Sequence, residues 1–408
     1  MPALRFKDKN GQAFEAPDEL TIQDLFDKVK TTNKDGANKN VITNSAEHGL
    51  IPQREFFDKD IAVEGNTSKY TIIKDGDFVY NPRKSSTAPY GPFNCYTREE
   101  PGIVSPLYSC LTPKNKAYTP YLLYYFASPA WYSYIYHNGN QGGARHDRVG
   151  MTDDLLQGIP VLLPCQEEQD KITAFLSLYD KRIAAQASKI EALETRRKGL
   201  LQQIFSQKIR FRADDGSKFP DWEDTMLSDI LTERKLKSTG NEEVYSVSVA
   251  KGLVNQIEHL GRCFAAEDTS KYKVVKPGDV VYTKSPTGDF KWGIVKQSMI
   301  NKDVIVSPLY GIFIPKSYAF GFVLDAYFSS SVRAHNYLIT QIRKGAKNTI
   351  NITNEVFLEK EIFLPTSEEE ARKIQAFVEL LDKQIQLEKD KLEAIKQVKK
   401  GLLQQMFV

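Results

Sequence analysis

Along most of this chain, apolar residues fall in short runs broken by Gly, Pro and Asn, but twice the pattern changes to a long stripe of helical period. From Gln166 to Ser206 there is no proline, and Gly199 is the only glycine. Apolar side chains recur there every three or four residues, at Ile172, Leu176, Tyr179, Ile183, Ile190, Leu193, Leu201 and Ile204. The second stripe runs through Ile374, Val378, Leu381, Ile385, Leu392, Ile395, Leu402 and Met406. Charged residues occupy the other faces. The spacing predicts two heptad-like helices of roughly 40 residues, about 60 Å each. A single such helix could not bury its stripe alone, so the two are expected to pack together.

The short runs predict strands. Thr71-Ile72-Ile73, then Lys74-Asp75-Gly76-Asp77, then Phe78-Val79-Tyr80 reads as strand, turn, strand. Lys273-Val274-Val275, Lys276-Pro277-Gly278-Asp279 and Val280-Val281-Tyr282 read the same way. Val161-Leu162-Leu163-Pro164 and Ile362-Phe363-Leu364-Pro365 predict buried strands that end in proline. The longest apolar stretch, Tyr121 to Tyr136, is short, aromatic and broken by Pro129, which fits a buried helix better than a membrane span.

These pairs are copies. Ile103-Val104-Ser105-Pro106-Leu107-Tyr108 recurs letter for letter as Ile305-Val306-Ser307-Pro308-Leu309-Tyr310, 202 positions on. Ser68-Lys69-Tyr70 returns at the same offset as Ser270-Lys271-Tyr272. Lys198-Gly199-Leu200-Leu201-Gln202-Gln203-Ile204-Phe205 returns as Lys400-Gly401-Leu402-Leu403-Gln404-Gln405-Met406-Phe407. Several matches at one offset mark a tandem duplication. The expected fold class is α+β, with two similar mixed α/β globules at 1–165 and 209–365 and helical segments at 166–208 and 366–408. Since each repeat runs globule then helix, a pseudo-two-fold internal repeat makes the helices an antiparallel coiled coil. Arg5-Phe6, Gly11 and Phe14 match Arg210-Phe211, Gly216 and Phe219 at an offset of 205, so the first and last residues should lie close together.

Composition narrows the class. Fifty-five Lys and Arg against 52 Asp and Glu leave a charge of +3, which excludes a polycationic tail protein. Nucleic-acid binding then requires local clustering of positive charge or help from partners. Forty-two Phe and Tyr supply real cores. Four cysteines without a CxxC pair fit a reducing compartment, and the first residues carry no apolar signal segment, so a cytoplasmic location is expected.

Catalytic signatures are missing from the sequence. There is no phosphate-binding glycine loop and no HExxH, and the five histidines are scattered singly, so neither catalytic nor metal-binding residues are assigned. One string imitates a nuclease. Pro220-Asp221 followed by Glu233-Arg234-Lys235 has the letters of a PD-ExK site, in which carboxylates hold Mg²⁺. The repeat copy has Glu15-Ala16 and Lys28-Val29-Lys30 there, and Glu233 falls near the end of a helix expected from Ser228, so the sequence argues against it.

Binding chemistry remains. After each repeated Gly-Asp-(Phe/Val)-Val-Tyr strand comes a polar loop, and each half carries a second, glycine-led basic loop. The candidate DNA contacts are Asn81, Arg83, Lys84 and Ser85, then Arg145, His146 and Arg148, in the first half. In the second they are Thr283, Lys284, Ser285 and Lys291, then Lys344, Lys347 and Asn348. Such side chains suit phosphate oxygens and base edges. The scaffolding strings are kept between repeats while these loops diverge, as two modules reading two different half-sites would require.

At this point the sequence resembles the specificity subunit of type I restriction-modification systems. The resemblance covers essentially the whole chain. It rests on Glu167-Glu168-Gln169, Ile172, Phe175-Leu176, Tyr179-Asp180 and Ile183 with the Gly-Leu-Leu-Gln-Gln close, and on the copy from Glu368 through Ile374, Phe377-Val378, Leu381-Asp382 and Ile385. Tyr179 stands where Leu is usual. The resemblance implies a non-catalytic subunit whose two target-recognition domains each bind half of a bipartite site on double-stranded DNA. It implies helices that set the half-site spacing, and recruitment of two methyltransferase subunits and two motor-nuclease restriction subunits. S-adenosylmethionine, ATP and Mg²⁺ would belong to those partners, and no membrane is involved. The candidate helix-pairing and partner-docking residues are Ile172, Leu176, Tyr179, Ile183, Leu200, Leu201 and Phe205, with Ile374, Val378, Leu381, Ile385, Leu402, Leu403 and Phe407 in the copy.

Overall fold

The computed structural model describes residues 2–56, 67–139, 147–257, 269–341, 343–344 and 350–407. The chain divides into two units, one of Met1–Ser188 with Lys389–Val408, the other of Lys189–Glu388.

Among its described residues the first unit has ten short strands: β1 (Asp18–Thr21), β2 (Phe26–Lys28), β3 (Ile42–Ser45), β4 (Gly49–Pro52), β5 (Thr71–Ile73), β6 (Phe78–Tyr80), β7 (Phe93–Cys95), β8 (Gly102–Val104), β9 (Ser109–Pro113) and β10 (Pro160–Leu163). Its centre is a four-stranded antiparallel sheet in the order β2-β9-β6-β7. Side chains alternate across this sheet, so β6 and β9 each feed two cores. Phe78, Tyr80, Phe93 and Leu111 face the larger core, with helices α1 (Thr119–Ala127) and α2 (Tyr132–Asn138). Val79 and Cys110 face a smaller core against β5, β8 and the β3–β4 hairpin. Burial pushes the thiols of Cys95 and Cys110 up to about 12, so neither is a ready nucleophile.

The second unit repeats this plan. Its strands are β11 (Glu223–Met226), β12 (Leu231–Glu233), β13 (Tyr245–Ser248), β14 (Gly252–Asn255), β15 (Lys273–Val275), β16 (Val280–Tyr282), β17 (Val295–Gln297), β18 (Val304–Val306), β19 (Gly311–Pro315), β20 (Arg343–Lys344), β21 (Ile350–Asn351) and β22 (Glu361–Leu364). The central sheet order is β12-β19-β16-β17, position for position that of the first unit. Tyr282 and Phe313 face the large core, and Val281 and Ile312 the small one.

Both long helices are present: α3 (Gln166–Phe205) and, after α4 (Tyr318–Phe328) and α5 (Ser331–Leu338), α6 (Glu368–Met406). Their stripes are buried in part and half-buried in the remainder. In the first unit Ile172 and Leu176 share a core with Leu403, Met406 and Phe407, and Asp180 pairs with Lys399. In the second, Ile374 and Val378 share a core with Leu201 and Ile204. Lys189 meets Glu388 at 3.0 Å and Arg197 meets Asp382, so α6 runs back as α3 runs forward. Asp180–Lys399 and Arg197–Asp382 occupy matching positions of the two repeats. Tyr179, Ile183 and Leu381 are half-buried and Ile385 is buried on the same stripes.

Near the beginning and end of the sequence, Leu4 N donates to the Gln405 carbonyl at 3.0 Å. Arg5 clasps the buried Glu168 at 2.6 Å, and Arg210 clasps the equally buried Glu370 at 2.8 Å, where Trp222 Nε1 adds a donor at 3.0 Å.

The strands on either side of the repeated Gly-Asp turn form as expected, each in its own sheet: β5 joins β8, and β6 joins β9 and β7. Three expectations need correcting. Strands β10 and β22 are only half-buried, because each lies in a two-stranded ribbon with one face outward, and Phe363 stays exposed. The apolar stretch Tyr121 to Tyr136 is two helices, split at Ser128-Pro129 because proline cannot continue a helix. The helix expected from Ser228 is a single turn, Leu227–Ile230; pairing with β19 then draws Leu231–Glu233 into a strand.

Candidate nucleic-acid interface

In each unit the candidate loops leave the same end of the central sheet. In the first, β6 ends at Tyr80 and Asn81 turns the chain. Asn81 is buried, and its side chain is fully engaged: Nδ2 donates to the Asn44 carbonyl at 3.1 Å and Oδ1 accepts from Arg83 N at 3.0 Å. Asn44 in turn donates to the Val79 carbonyl at 2.7 Å and accepts from Asn94 Nδ2 at 2.7 Å. Gly91 has φ +88°, and a Cβ there would run into the Asn81 carbonyl, so glycine is required. This asparagine frame leaves Arg83, Lys84 and Ser85 exposed.

The frame also joins the two loops of the first unit. Lys84 N donates to the Asp147 carbonyl at 2.9 Å, Val149 N donates to the Pro82 carbonyl at 2.8 Å, and Arg83 and Arg148 sit opposite each other as a β-bridge. Arg83, Lys84 and Arg148 thus share one place, tempered by Asp147 at 3.9 Å from Arg83. Arg145 and His146 lie outside the described residues.

In the second unit Thr283 is buried, and its hydroxyl accepts from Ile294 N at 3.0 Å. Like Asn81, Thr283 spends its polar atoms inside the protein and shapes the loop rather than facing solvent. Lys284 and Ser285 are half-buried, and Lys291 is exposed beside the anchoring Phe290. Lys344 pairs through its backbone with Ile350 in the β20–β21 ribbon; Lys347 and Asn348 lie outside the described residues.

Several residues at these sheet ends escaped the sequence reading. In the first unit Lys28 meets Asp153 at 2.6 Å. At the equivalent place in the second, Asn354 Nδ2 donates to Glu233 at 2.5 Å, and Lys273 Nζ donates to the Tyr310 carbonyl at 2.6 Å. Only the repeat offset could have pointed to them.

The nuclease-like letters do not converge. Asp221 is exposed, 3.7 Å from Arg210, whereas Glu233 is tied to Asn354 and Arg234 forks onto Asp279. Among the described residues, no group of three or more His, Cys, Asp or Glu could hold a metal ion, and no helix is long and apolar enough to cross a membrane.

The helix-closing strings mostly face inward. Leu201, Leu403 and Phe407 are buried in the core of their own unit, and Phe205 packs beside Trp222 and Tyr327, so their first task is sealing. Leu200 and Leu402 stay half-exposed. Among the exposed leucines on the long helices, Leu178 and Leu380 are the most exposed, at 61% and 65%, and lie 202 positions apart; Leu387 on α6 is exposed as well.

No family model matches the chain. The type I restriction enzyme MjaVIII specificity subunit of Methanocaldococcus jannaschii is 26% identical over 271 residues, covering 61% of this chain and 61% of that relative's length. A solved chain from work on complex assembly and conformational transition of the type I R-M system aligns over 96% of this chain and 98% of its own, with TM-score 0.55 and 15% identity. In sequence the chain resembles a type I specificity subunit, and in fold it resembles a chain of the type I R-M system. The S subunit of such a system from M. genitalium aligns over 100% of this chain and 99% of its own, with TM-score 0.48 and 14% identity.

Proposed function

We propose that this chain is the non-catalytic specificity subunit of a type I restriction-modification complex. Each unit reads one half of a bipartite site in double-stranded DNA with the loops at the end of its central sheet. The observation that carries this reading is the contrast between the repeats: the sheets, cores and helix ion pairs coincide, while the loop ends present Arg83, Lys84 and Arg148 in one unit and Lys284, Ser285 and Lys291 in the other. A shared scaffold with different surface chemistry suits two different base sequences.

The paired helices set the separation of the half-sites and dock two methyltransferase subunits, through which two restriction subunits join. S-adenosylmethionine, ATP and Mg²⁺ are bound by those partners. The two helices carry 15 basic and 14 acidic residues, so they attract DNA little by charge. The isolated chain should therefore bind DNA weakly with a shallow salt dependence, and the complex with methyltransferase tightly. Fluorescence anisotropy across a salt series measures both; nanomolar sequence-specific binding by the isolated chain would overturn this division of labour.

A further inference from the structure

In the second unit, side chains far apart in sequence meet at the end of the central sheet. Glu233 closes β12, Lys273 opens β15, Lys284 follows β16, and Asn354 and Glu355 begin the short helix Asn354–Leu358. Lys284 lies within the fields of Lys273, Glu233 and Glu355.

Lys284 is held there at a cost. Its φ is +55°, a left-handed conformation shared by only one other non-glycine among the described residues, Gln207. Its ammonium group is half-buried, and that burial, followed by the charge of Lys273, lowers its pKa. No described carboxylate lies within ion-pair distance of it. Glu233 acts on it by its charge but makes its contacts elsewhere: Asn354 Nδ2 holds one of its oxygens at 2.5 Å, and Lys235 is 4.0 Å from the other. Pinning Glu233 leaves Asn354 Oδ1 buried without a hydrogen-bond partner.

The first unit shows the alternative. Its counterparts are Lys28 for Glu233, Thr71 for Lys273, Pro82 for Lys284 and Asp153 for Asn354, and Lys28 and Asp153 close on each other. A chain that only had to fold could do the same in its second unit, or place glycine at position 284. Backbone strain and a partly desolvated cation without a contacting carboxylate persist where a ligand uses them.

We propose that Lys284 is a preorganised contact to a DNA phosphodiester, made by the second unit and absent from the first. The inference rests on the reading of that unit as a DNA-recognition module. A phosphate supplies the full negative charge that a half-buried ammonium lacks, which a neutral base edge cannot do, and a lysine meets it as a point charge.

The test uses the chain co-purified with its methyltransferase and duplexes carrying the motif that the complex methylates. Lys284→Gln should weaken binding about ten-fold at low salt and reduce the slope of log affinity against log salt by about 0.9, equally for duplexes that differ in the second half-site. Lys284→Gly should lose binding likewise yet melt about 2 °C higher, because its left-handed strain is relieved. Unchanged affinity and slope for Lys284→Gln would overturn the inference. So would a loss confined to one base at one position, which would make Lys284 a base reader, or a lower melting temperature for Lys284→Gly, which would make it a folding residue. If the unaltered complex fails to distinguish any duplex, the DNA reading falls as well.

Discussion

Replacing Arg210 with alanine should destabilise the second unit by about 3–5 kcal/mol, the usual cost of leaving one partner of a buried ion pair alone. Glu370 is fully buried, and Arg210 engages both its oxygens, at 2.8 and 3.1 Å. Without the guanidinium, the carboxylate keeps only the Trp222 N–H, which cannot compensate a desolvated charge. The pair fastens α6 to the segment that follows α3, so the loss spreads through the unit. Calorimetry should resolve two transitions, with the second unit's falling by roughly 10 °C or more and the first unit's, held by Arg5–Glu168, unmoved. Arg210→Ala combined with Glu370→Gln removes the lone charge and should recover much of the loss. Equal melting of Arg210→Ala and the unaltered chain would show that the clasp adds nothing.

Paired Leu178→Asp and Leu380→Asp substitutions should abolish co-purification of the methyltransferase without unfolding the chain. Both side chains are mostly in water, so the stability change should stay within about 0.5 kcal/mol. Each leucine lies one position before the helix stripe, apolar yet facing away from the core, and the repeat places one in each unit. A partner that binds twice needs a feature that occurs twice, and a central apolar anchor commonly contributes 2 kcal/mol or more to an interface. A single substitution should leave one methyltransferase bound, which native mass spectrometry reads as a change of stoichiometry. Leu201→Asp is an unsuitable test of docking, because that side chain is buried and its loss would unfold the second unit whatever it docks. Retention of two methyltransferases by the double variant would place the docking surface elsewhere.

Sequence and structure agree best where information is periodic or repeated. The helix stripes give α3 and α6 almost to the residue, because one face of each must be buried along its whole length. The 202-residue offset gives the duplication without any knowledge of strands. Strand pairing was not legible: β5 and β6 flank one turn yet enter different sheets, a choice made by the partners β8 and β9. Polarity also misled at Asn81 and Thr283, whose side chains follow the strand into the protein and satisfy backbone groups there. The Glu233, Lys273, Lys284 and Asn354 group joins residues as far as 121 positions apart. No local spacing could reveal it.

The central claim is that two units of one scaffold read two different half-sites. Co-expressing the chain with its methyltransferase and mapping N6-methyladenine across the host genome tests it most directly, together with a chimaera in which residues 1–165 come from a relative of different specificity. The account predicts a bipartite, non-palindromic motif of which the chimaera alters one half and leaves the other intact. A single uninterrupted motif, or one changed in both halves by the exchange, would contradict it.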